Sequence, residues 1–421
     1  MTRPAEAELA AGIECYVTMG EPCQGVARSA AEDFAVEERV SLEGLVSEPR
    51  PDYLPLYRVE KRSIDTMHMA AELSTALKSR VSYAGLKDKK AVSVQYVTPT
   101  SRRAERPSRV VGKDFAAELV GYLPRPMNRG ALVGNSFSVV LRDCCPEIGA
   151  RIEEACGLAR ERKVPNFYGL QRFGTSGGGT HRVGRELVRG DFEGAVRQLL
   201  LSSPHADPER RRMIEEAISG RGGSEIAELI PARSDVEAKV ARELGRHPGE
   251  WARALRAVPV GLRRLYVHAY QSWLFNRALS RAVMEGEDIS AMKGGDNWAQ
   301  VSDDGMVTSE VRGVRDVPTA ASVPMVQVVG YAYRNYGSRF DSRIEKVLEE
   351  EGVRPAQFYI KEMQEVSAEG GFRRPHIAVG ELSWEASDGA ARLRFSLGKG
   401  QYATVLLREI IKPRDPAASG L

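Results

Sequence analysis

The stretch YAGLKDKKAVSVQYVT, residues 83–98, constrains the fold of this chain most. From Val92 onward its apolar and polar residues alternate, which predicts a half-buried strand. Ala84 and Gly85 precede that strand and favour a turn. Asp88 lies between the turn and the strand, on a loop from which a rigid scaffold can direct a side chain into a cleft. The stretch therefore predicts a tight acidic loop that leads into a strand.

The loop is surrounded by positive charge. The whole chain has 60 cationic and 57 anionic side chains and a formal net charge of +3, so only a local excess can indicate a nucleic-acid partner. Such an excess occurs between residues 80 and 113, where Asp88 and Glu105 are the acidic residues and the basic ones are Arg80, Lys87, Lys89, Lys90, Arg102, Arg103, Arg106, Arg109 and Lys113. This distribution predicts a polyanionic partner, although an ordinary solvated surface has the same appearance.

On residue types alone, the chemistry of Asp88 stays open. Neighbouring lysines favour its ionised form, and an ionised aspartate can act as a metal ligand, a general base or a nucleophile. Two-metal and hydrolytic sites need further clustered carboxylates or histidines, and the flanking sequence offers none. A salt-bridged surface turn without any catalytic role fits the same residues.

Length and composition set wider bounds. A chain of 421 residues, 42% of them apolar, can bury a large core and is expected to form two domains. An odd number of cysteines without metal-ligand spacing argues against both zinc and a disulfide framework. No window is apolar enough to span a membrane, and the amino terminus lacks the pattern of a signal peptide. We therefore expect a soluble protein of a reducing compartment, the cytoplasm.

Strand and helix patterns alternate in the first part of the chain. Residues around Phe34 and Val36 are strand-like, Ser63 is the expected cap of the helix that follows it, and residues 132–143 form another predicted strand. Pro146 then opens a helix whose apolar stripe includes Ile148 and Ile152. This is the pattern of one mixed α and β unit.

The character of the sequence changes at Lys163. An aromatic and glycine-rich segment, VPNFYGLQRFG, is followed by mostly helical patterns, and the strongest of these runs from Leu262 to about Glu285. Residues 342–351 are a predicted helix, and GGFRRP at 370–375 is a predicted turn with a double arginine. Strand patterns return at 377–384 and 391–397, followed by a helix at 402–411.

Six segments in this order resemble the motifs of the TruD family of tRNA pseudouridine synthases. They are EDFAVEE at 32–38, YAGLKDKKAVSVQ at 83–95, GNSF at 134–137, VPNFYGLQRFG at 164–174, QSWLFNRALS at 271–280 and GQYATVLLRE at 400–409. The resemblance covers nearly the whole chain. It implies an enzyme that isomerises uridine to pseudouridine in tRNA, typically at position 13, with no cofactor and no metal.

The resemblance also implies an architecture. The fold class is α+β, with a pseudouridine synthase core built on a mixed, largely antiparallel sheet. We expect residues 1–162 and 377–421 to form this catalytic domain, and residues 163–376 to form the α/β insertion domain that is characteristic of the family.

Roles for individual residues follow from the same motifs. Asp88 matches the catalytic aspartate, and the flanking lysines Lys87, Lys89 and Lys90 are expected to keep it charged or to hold RNA phosphates. The residues that match the family's uracil pocket are Phe34, Asn135, Phe137 and Tyr402, with Arg28 standing where the family commonly has a lysine. An arginine keeps the charge but changes the geometry. The further expected phosphate contacts are Arg172, Arg373 and Arg374.

Two other functions stay open on the sequence. One is an RNA-binding partner in tRNA folding that has the same fold and has lost its catalysis, although the intact motif around Asp88 favours an enzyme. The other is a metal-dependent nuclease, which predicts RNA cleavage stimulated by magnesium. In each case we expect tRNA or another RNA as the partner, no membrane association, no obligatory protein partner and a monomer.

Overall fold

The structure is a computed structural model. It describes residues 2–87, 89, 91–174, 179–201, 208–219, 228–230, 235–302, 307–308, 310–313 and 316–421. Two residues of the predicted site, Asp88 and Lys90, lie outside the described residues, so their predicted roles have no structural account.

The helices, in chain order, are α1 (Glu6–Ala10), α2 (Thr66–Ala76), α3 (Ile148–Arg160), α4 (Thr180–Arg189), α5 (Phe192–Leu201), α6 (Pro208–Ser219), α7 (Asp235–Arg246), α8 (Trp251–Arg256), α9 (Val260–Met284), α10 (Arg339–Glu351) and α11 (Ala403–Ile411). The strands are β1 (Phe34–Val40), β2 (Leu54–Arg62), β3 (Val81–Tyr83), β4 (Val92–Pro99), β5 (Arg109–Val111), β6 (Phe115–Leu123), β7 (Leu132–Arg142), β8 (Asn297–Gln300), β9 (Ser322–Val328), β10 (Gly371–Arg373), β11 (Val379–Ser387) and β12 (Ala390–Gly398).

The chain forms two compact units. The first contains residues 1–17, 165–300 and 308–376, and the second contains residues 18–164, 301–307 and 377–421. Residues 1–17 belong to the first unit, whereas the predicted catalytic domain includes them. Whether the units are functional domains with the predicted limits stays a prediction.

A mixed, largely antiparallel sheet organises the second unit, which confirms the predicted fold class. Its strands lie in the order β11-β12-β7-β1-β4-β2-β6-β5, and β3 pairs with β4 off this path. Among the described pairings, β1 with β4 is parallel and the others in this sheet are antiparallel. The carboxy-terminal strands β11 and β12 thereby join a sheet whose other strands come from the amino-terminal part of the chain.

Strand β4 confirms the strand predicted after the acidic loop, but it is not half-buried. Val92 and Tyr96 are partly exposed, whereas the polar residues Ser93 and Gln95 are fully buried. Apolar and polar residues therefore alternate as predicted. The face that carries Ser93 and Gln95, however, is the more deeply buried one. A central strand is covered on both faces, and side-chain polarity then does not identify the inner face.

Helix α2 covers part of the sheet next to this strand. Met69 and Leu73 of the helix pack with Tyr57, Val59 and other buried residues of one apolar cluster. The predicted cap, Ser63, is wrong by two residues, because the Asp65 carboxylate accepts the backbone N–H groups of Met67 and His68. Ser63 instead has a positive φ of 58° in the turn before the helix.

A disulfide joins Cys23 to Cys145 across 122 residues. The sequence argued against a disulfide framework and did not predict this pair, because a cysteine count does not reveal which side chains meet in the fold. Cys15, Cys144 and Cys156 are outside this disulfide; Cys15 and Cys156 are buried, and Cys144 is partly exposed.

The first unit is mostly helical around α9, with a small sheet in the order β10-β9-β8. Helix α9 confirms the strongest helical prediction, and Tyr266 and Ala269 are buried along it. Helix α10 begins three residues earlier than predicted because Ser338 caps it by accepting the Asp341 backbone N–H. The predicted turn GGFRRP is wrong, since Gly371–Arg373 is a strand paired with β9.

No helix in the described part of the chain combines the length and the apolar composition that crossing a membrane requires.

Candidate active site

The acidic loop is attached to the sheet by a buried ion pair at the residue that precedes Asp88. The Lys87 ammonium lies 2.7 Å from a Glu38 carboxylate oxygen, and the two side chains are 8% and 0% exposed. The other carboxylate oxygen accepts the backbone N–H of Tyr96 on β4. In this conformation the charge of Lys87 is buried and neutralised by Glu38, and the binding of RNA phosphate by Lys87 stays a prediction.

The structure explains why the residues at positions 84 and 85, shortly before Lys87, are small. Ala84 is 2% exposed and packs in an apolar cluster with Leu56, Leu123 and Met127. A side chain at Gly85 would place its Cβ 3.2 Å from a Glu38 carboxylate oxygen and 3.4 Å from the Lys87 ammonium. Because both approaches are tight, glycine leaves the ion pair the room that it needs.

Three of the predicted pocket residues share a sheet face with Glu38. Paired residues on neighbouring strands point to the same face, as do alternate residues along one strand. Strand β1 contributes Phe34 and Glu38 to this face, and β7 contributes Phe137 and Asn135, with Asn135 paired to Glu38. The sheet thus gathers two aromatic rings and an amide beside the carboxylate that holds the acidic loop.

The aromatic rings form a continuous cluster. Phe34 meets Phe137 edge-on, with the ring centroids 6.0 Å apart, and Phe137 stacks on Phe395 of β12 at 5.3 Å. Phe34 is 4% exposed, while Phe137 is partly exposed. Phe395 was missed by the sequence analysis, and its pairing with Phe137 across β7 and β12 is what brings it here.

Arg28 reaches the aromatic cluster from outside the sheet. The Arg28 guanidinium carbon lies 4.1 Å from the centroid of the Phe34 ring, which is a cation–π contact. Tyr402 is partly exposed and directly precedes helix α11. The structure therefore places Arg28 against a predicted pocket aromatic, while the pairing of Arg28 with Asp88 stays a prediction.

Asn135 carries a buried acceptor that the described residues do not satisfy. Its side-chain oxygen Oδ1 is inaccessible to solvent and has no hydrogen-bond partner within the part of the chain that the structure describes. A buried carbonyl oxygen without a donor is costly, and such atoms in native proteins call for an explanation. A bound group that donates an N–H would supply one.

A groove of about 430 Å³ also lies in this unit. Phe137 and Phe395 line it together with Ala35, Val92, Ser136 and Arg394. Phe34, Asn135 and Tyr402 are not part of its lining. Ala35, Ser136 and Arg394 alternate with the residues of the shared face, so their side chains point to the opposite face of the sheet. The groove therefore lies mainly on the face opposite to Glu38, and Phe137 is the predicted pocket residue among the described residues that line it.

Asp33 fixes the start of β1 just before Phe34. Its carboxylate, in a residue that is 1% exposed, accepts two hydrogen bonds from Arg142, at 2.7 Å from Nη2 and 2.9 Å from Nε. It also accepts the backbone N–H of Ala30 at 2.9 Å. The hydrogen bond from Arg142 is the main cause that lowers the Asp33 pKa below its ordinary value.

Replacing Asp33 by asparagine is expected to lower stability at neutral pH by about 1–3 kcal/mol, because a charged, bidentate hydrogen bond is lost. A lowered folded-state pKa contributes stability above the ordinary carboxyl pKa and loses it as pH falls through the folded value. The difference between wild type and variant in urea midpoint should therefore shrink between pH 6 and pH 3. A difference that stays constant over this range would contradict the assignment, and the exposed Asp52→Asn is the control.

The predicted phosphate contacts of the first unit differ in exposure. Arg172 is partly exposed, and its Nε donates to the Ser272 hydroxyl at 3.2 Å. Arg373 and Arg374 are 9% and 6% exposed, so both are largely buried in this conformation, and their phosphate contacts stay predictions. Arg373 instead donates from Nη2 to the Asn166 side-chain oxygen at 2.7 Å.

Two of the motifs in this unit hold each other in place. The buried Asn276 of QSWLFN accepts the Tyr168 backbone N–H at 2.8 Å and donates to the Tyr168 carbonyl at 3.0 Å. The Arg373 guanidinium lies 4.0 Å from the centroid of the Tyr168 ring. VPNFYGLQRFG is thus fixed by LFN and by the double arginine. Its two amides differ in burial, because Asn166 is buried and Gln171 is exposed.

Glu38 lies in the motif EDFAVEE, but the sequence did not predict that its carboxylate would hold the acidic loop. The signal was present, since Phe34, Val36 and Glu38 alternate along one strand and the first two are apolar. A carboxylate at the third position of a buried face needs a cationic or N–H partner. The partner, Lys87, is 49 residues away and not predictable from that strand.

Comparisons with known proteins agree with this architecture. A solved structure of a Methanosarcina mazei protein described as tRNA pseudouridine synthase D (TruD) superimposes with a TM-score of 0.80 at 27% identity, covering 99% of both chains. The chain therefore has the fold of that protein.

Sequence relatives identify the family. A Methanopyrus kandleri protein named "Probable tRNA pseudouridine synthase D" is 36% identical over 366 residues, 85% of each chain. A Pyrobaculum neutrophilum protein of the same name is 33% identical over 420 residues, 97% of each chain. The family model for tRNA pseudouridine synthase D (TruD) matches residues 10–410. The chain belongs to the TruD family.

Proposed function

We propose that this protein isomerises uridine to pseudouridine in tRNA, at nucleotide 13, with Asp88 as the nucleophile and without a cofactor. The observation that carries the proposal is the family match over residues 10–410, which includes every segment of the candidate site. The anchoring of the acidic loop next to a row of aromatic and amide side chains supports it.

The chemistry needs no group that the chain lacks. The bond between N1 of uracil and C1′ of ribose breaks, the base turns, and a bond from C5 to C1′ replaces it. C5 gives up its proton and N1 takes one, so the product is an isomer of the substrate. An ionised carboxylate can assist by detaching the base from the ribose or by adding to the base.

Side chains of the shared face would hold the base. A uridine taken out of the tRNA stack needs aromatic partners, which Phe34 and Phe137 offer, and Tyr402 is the proposed third ring. Asn135 is the proposed amide partner of the base, and its Oδ1, which is buried in this conformation, would accept the uracil N3–H once the bound base makes it accessible. Arg28, stacked on Phe34, brings positive charge to the same pocket.

The RNA backbone would be held by other cations. Lys89 is exposed and Arg172 is partly exposed, so both are available to phosphates. Lys90 remains a proposed phosphate contact from its place in the loop. With tRNA as the partner, we also propose that the protein works in the cytoplasm as a monomer without an obligatory protein partner.

A direct test uses an unmodified tRNA transcript labelled with tritium at C5 of uridine. The protein is expected to release tritium to water and to convert uridine 13, with equal yield in the presence of a chelator. Binding without any tritium release would favour a tRNA folding partner that lacks catalysis. Magnesium-stimulated cleavage of the transcript would favour a nuclease. Either outcome would overturn the proposal.

Replacing Asn135 by alanine is expected to raise KM about tenfold, because one hydrogen bond to the base is lost. The urea midpoint should change little, since Oδ1 makes no hydrogen bond to the described residues. Steady-state kinetics and urea unfolding measure the two effects, with the exposed amide Gln24→Ala as the control. An unchanged KM would remove Asn135 from the proposed pocket.

A further inference from the structure

The backbone of Lys87 is held by a second set of contacts that the ion pair with Glu38 does not require. Thr66, the first residue of α2, is 1% exposed. Its hydroxyl oxygen accepts the Lys87 backbone N–H at 2.9 Å. The same hydroxyl donates to the side-chain oxygen of Gln95 on β4 at 3.0 Å. One hydroxyl therefore joins the loop to both a helix and the central sheet.

Lys61 contacts the other side of the same residue. It lies on β2, is 1% exposed, and donates from its ammonium to the carbonyls of Ile64 at 2.7 Å and Lys87 at 3.4 Å. Burial of an ammonium group is costly, even when carbonyls solvate it. The two carbonyls, one of them in the loop, solvate part of the charge of this buried ammonium.

The N–H, the carbonyl and the side chain of Lys87 are therefore each held by a different partner. A peptide group is planar, and consecutive Cα atoms lie about 3.8 Å apart. Fixing the Lys87 carbonyl consequently sets the direction in which the chain continues to position 88. The direction in which the backbone leaves Lys87 matters most when the next side chain must meet a reacting atom, since small misplacements lower the reaction rate.

We propose that Thr66 and Lys61 are positioning residues for the isomerisation, which hold the Lys87 backbone so that the carboxylate of the following residue meets the uridine in a set geometry. The inference rests on the proposed function, because position 88 needs accurate placement only if its carboxylate reacts. Neither residue touches the substrate in this account. They act through Lys87, with Gln95 orienting the Thr66 hydroxyl.

The pair Thr66→Val and Thr66→Ser tests the proposal. Valine has the shape of threonine without the hydroxyl, whereas serine keeps the hydroxyl. We expect Thr66→Val to lower the single-turnover rate about 10–100-fold with the tRNA Kd within twofold of wild type, because a displacement of about 1 Å can cost that much. Thr66→Ser should recover most of the rate. Thr75→Val, an exposed threonine of the same helix, is the matched control.

The outcomes separate this inference from the proposed function. If wild type forms no pseudouridine, the proposed function fails and the inference fails with it. If wild type is active and Asp88→Asn is not, but Thr66→Val reacts at the wild-type rate, the inference alone is overturned. Loss of rate in proportion to the unfolded fraction, measured by circular dichroism in the same samples, would also overturn it, since that result describes a purely structural role.

Lys61→Met provides a second variant with a different readout. A folded Lys61→Met protein should retain wild-type tRNA affinity and react more slowly than wild type, and combining it with Thr66→Val should give less than the product of the two single effects. Independent, multiplicative effects would contradict a shared action through Lys87. If Lys61→Met does not fold, the two Thr66 variants decide the proposal.

Discussion

Lys87→Met is expected to lower the free energy of unfolding of the unit that contains the nine-stranded sheet by about 3–5 kcal/mol, because Glu38 would be left buried without its cation. Both side chains are nearly inaccessible, and the Glu38 carboxylate would keep one hydrogen bond, from the Tyr96 backbone N–H. Urea unfolding followed by circular dichroism measures the change.

Two further variants give this prediction its controls. The double variant Glu38→Gln/Lys87→Met removes both charges and should regain much of the loss, since a neutral pair avoids a buried, unpaired charge. Lys78→Met breaks an exposed pair with Glu105, whose side chains are 75% and 57% exposed, and should cost less than about 1 kcal/mol. Equal losses for Lys87→Met and Lys78→Met would show that the Glu38–Lys87 pair is solvated.

The strands of the central sheet were largely predictable from alternation. The strand predicted at 132–143 is β7 at Leu132–Arg142, and the one predicted at 391–397 is β12 at Ala390–Gly398. Alternation identifies a strand wherever one face is apolar. It did not identify the covered face of β4, because Ser93 and Gln95 are buried there despite their polarity, and Gln95 accepts a hydrogen bond from the Thr66 hydroxyl.

The local details that failed depend on three-dimensional contacts. GGFRRP has the composition of a turn, yet pairing with β9 extends it into a strand and buries Arg373 against Asn166. The disulfide joins residues 122 positions apart, and no spacing in the sequence indicates it. Lys87 was expected to keep Asp88 charged or to hold RNA phosphates, and its burial beside Glu38 became visible only with the fold.

Some residues of the candidate site were predictable from the sequence, and others were not. The motifs predicted that Phe34, Phe137 and Asn135 belong to one site, and the register of β1 and β7 places them on one face. Glu38, Thr66 and Lys61 could not be ranked from sequence, because their importance lies in what they hold. Each contacts Lys87, a residue at least 21 positions away along the chain.

Asp88→Asn is expected to have the largest effect on activity. Asparagine has nearly the same shape but no negative charge, and it is a poor nucleophile, so pseudouridine formation should fall by about 10⁴-fold or more. Affinity for tRNA should stay within a few-fold, because the phosphate contacts are untouched. Single-turnover kinetics and equilibrium binding measure these effects, and the exposed Asp52→Asn should behave as wild type.

The central claim is that this chain converts uridine to pseudouridine through Asp88. The most direct measurement maps pseudouridine at nucleotide resolution in one unmodified tRNA transcript after equal incubation with wild type and Asp88→Asn. The account predicts nearly complete conversion of uridine 13 by wild type and none by the variant. No pseudouridine with wild type, or equal conversion by the two proteins, would contradict it.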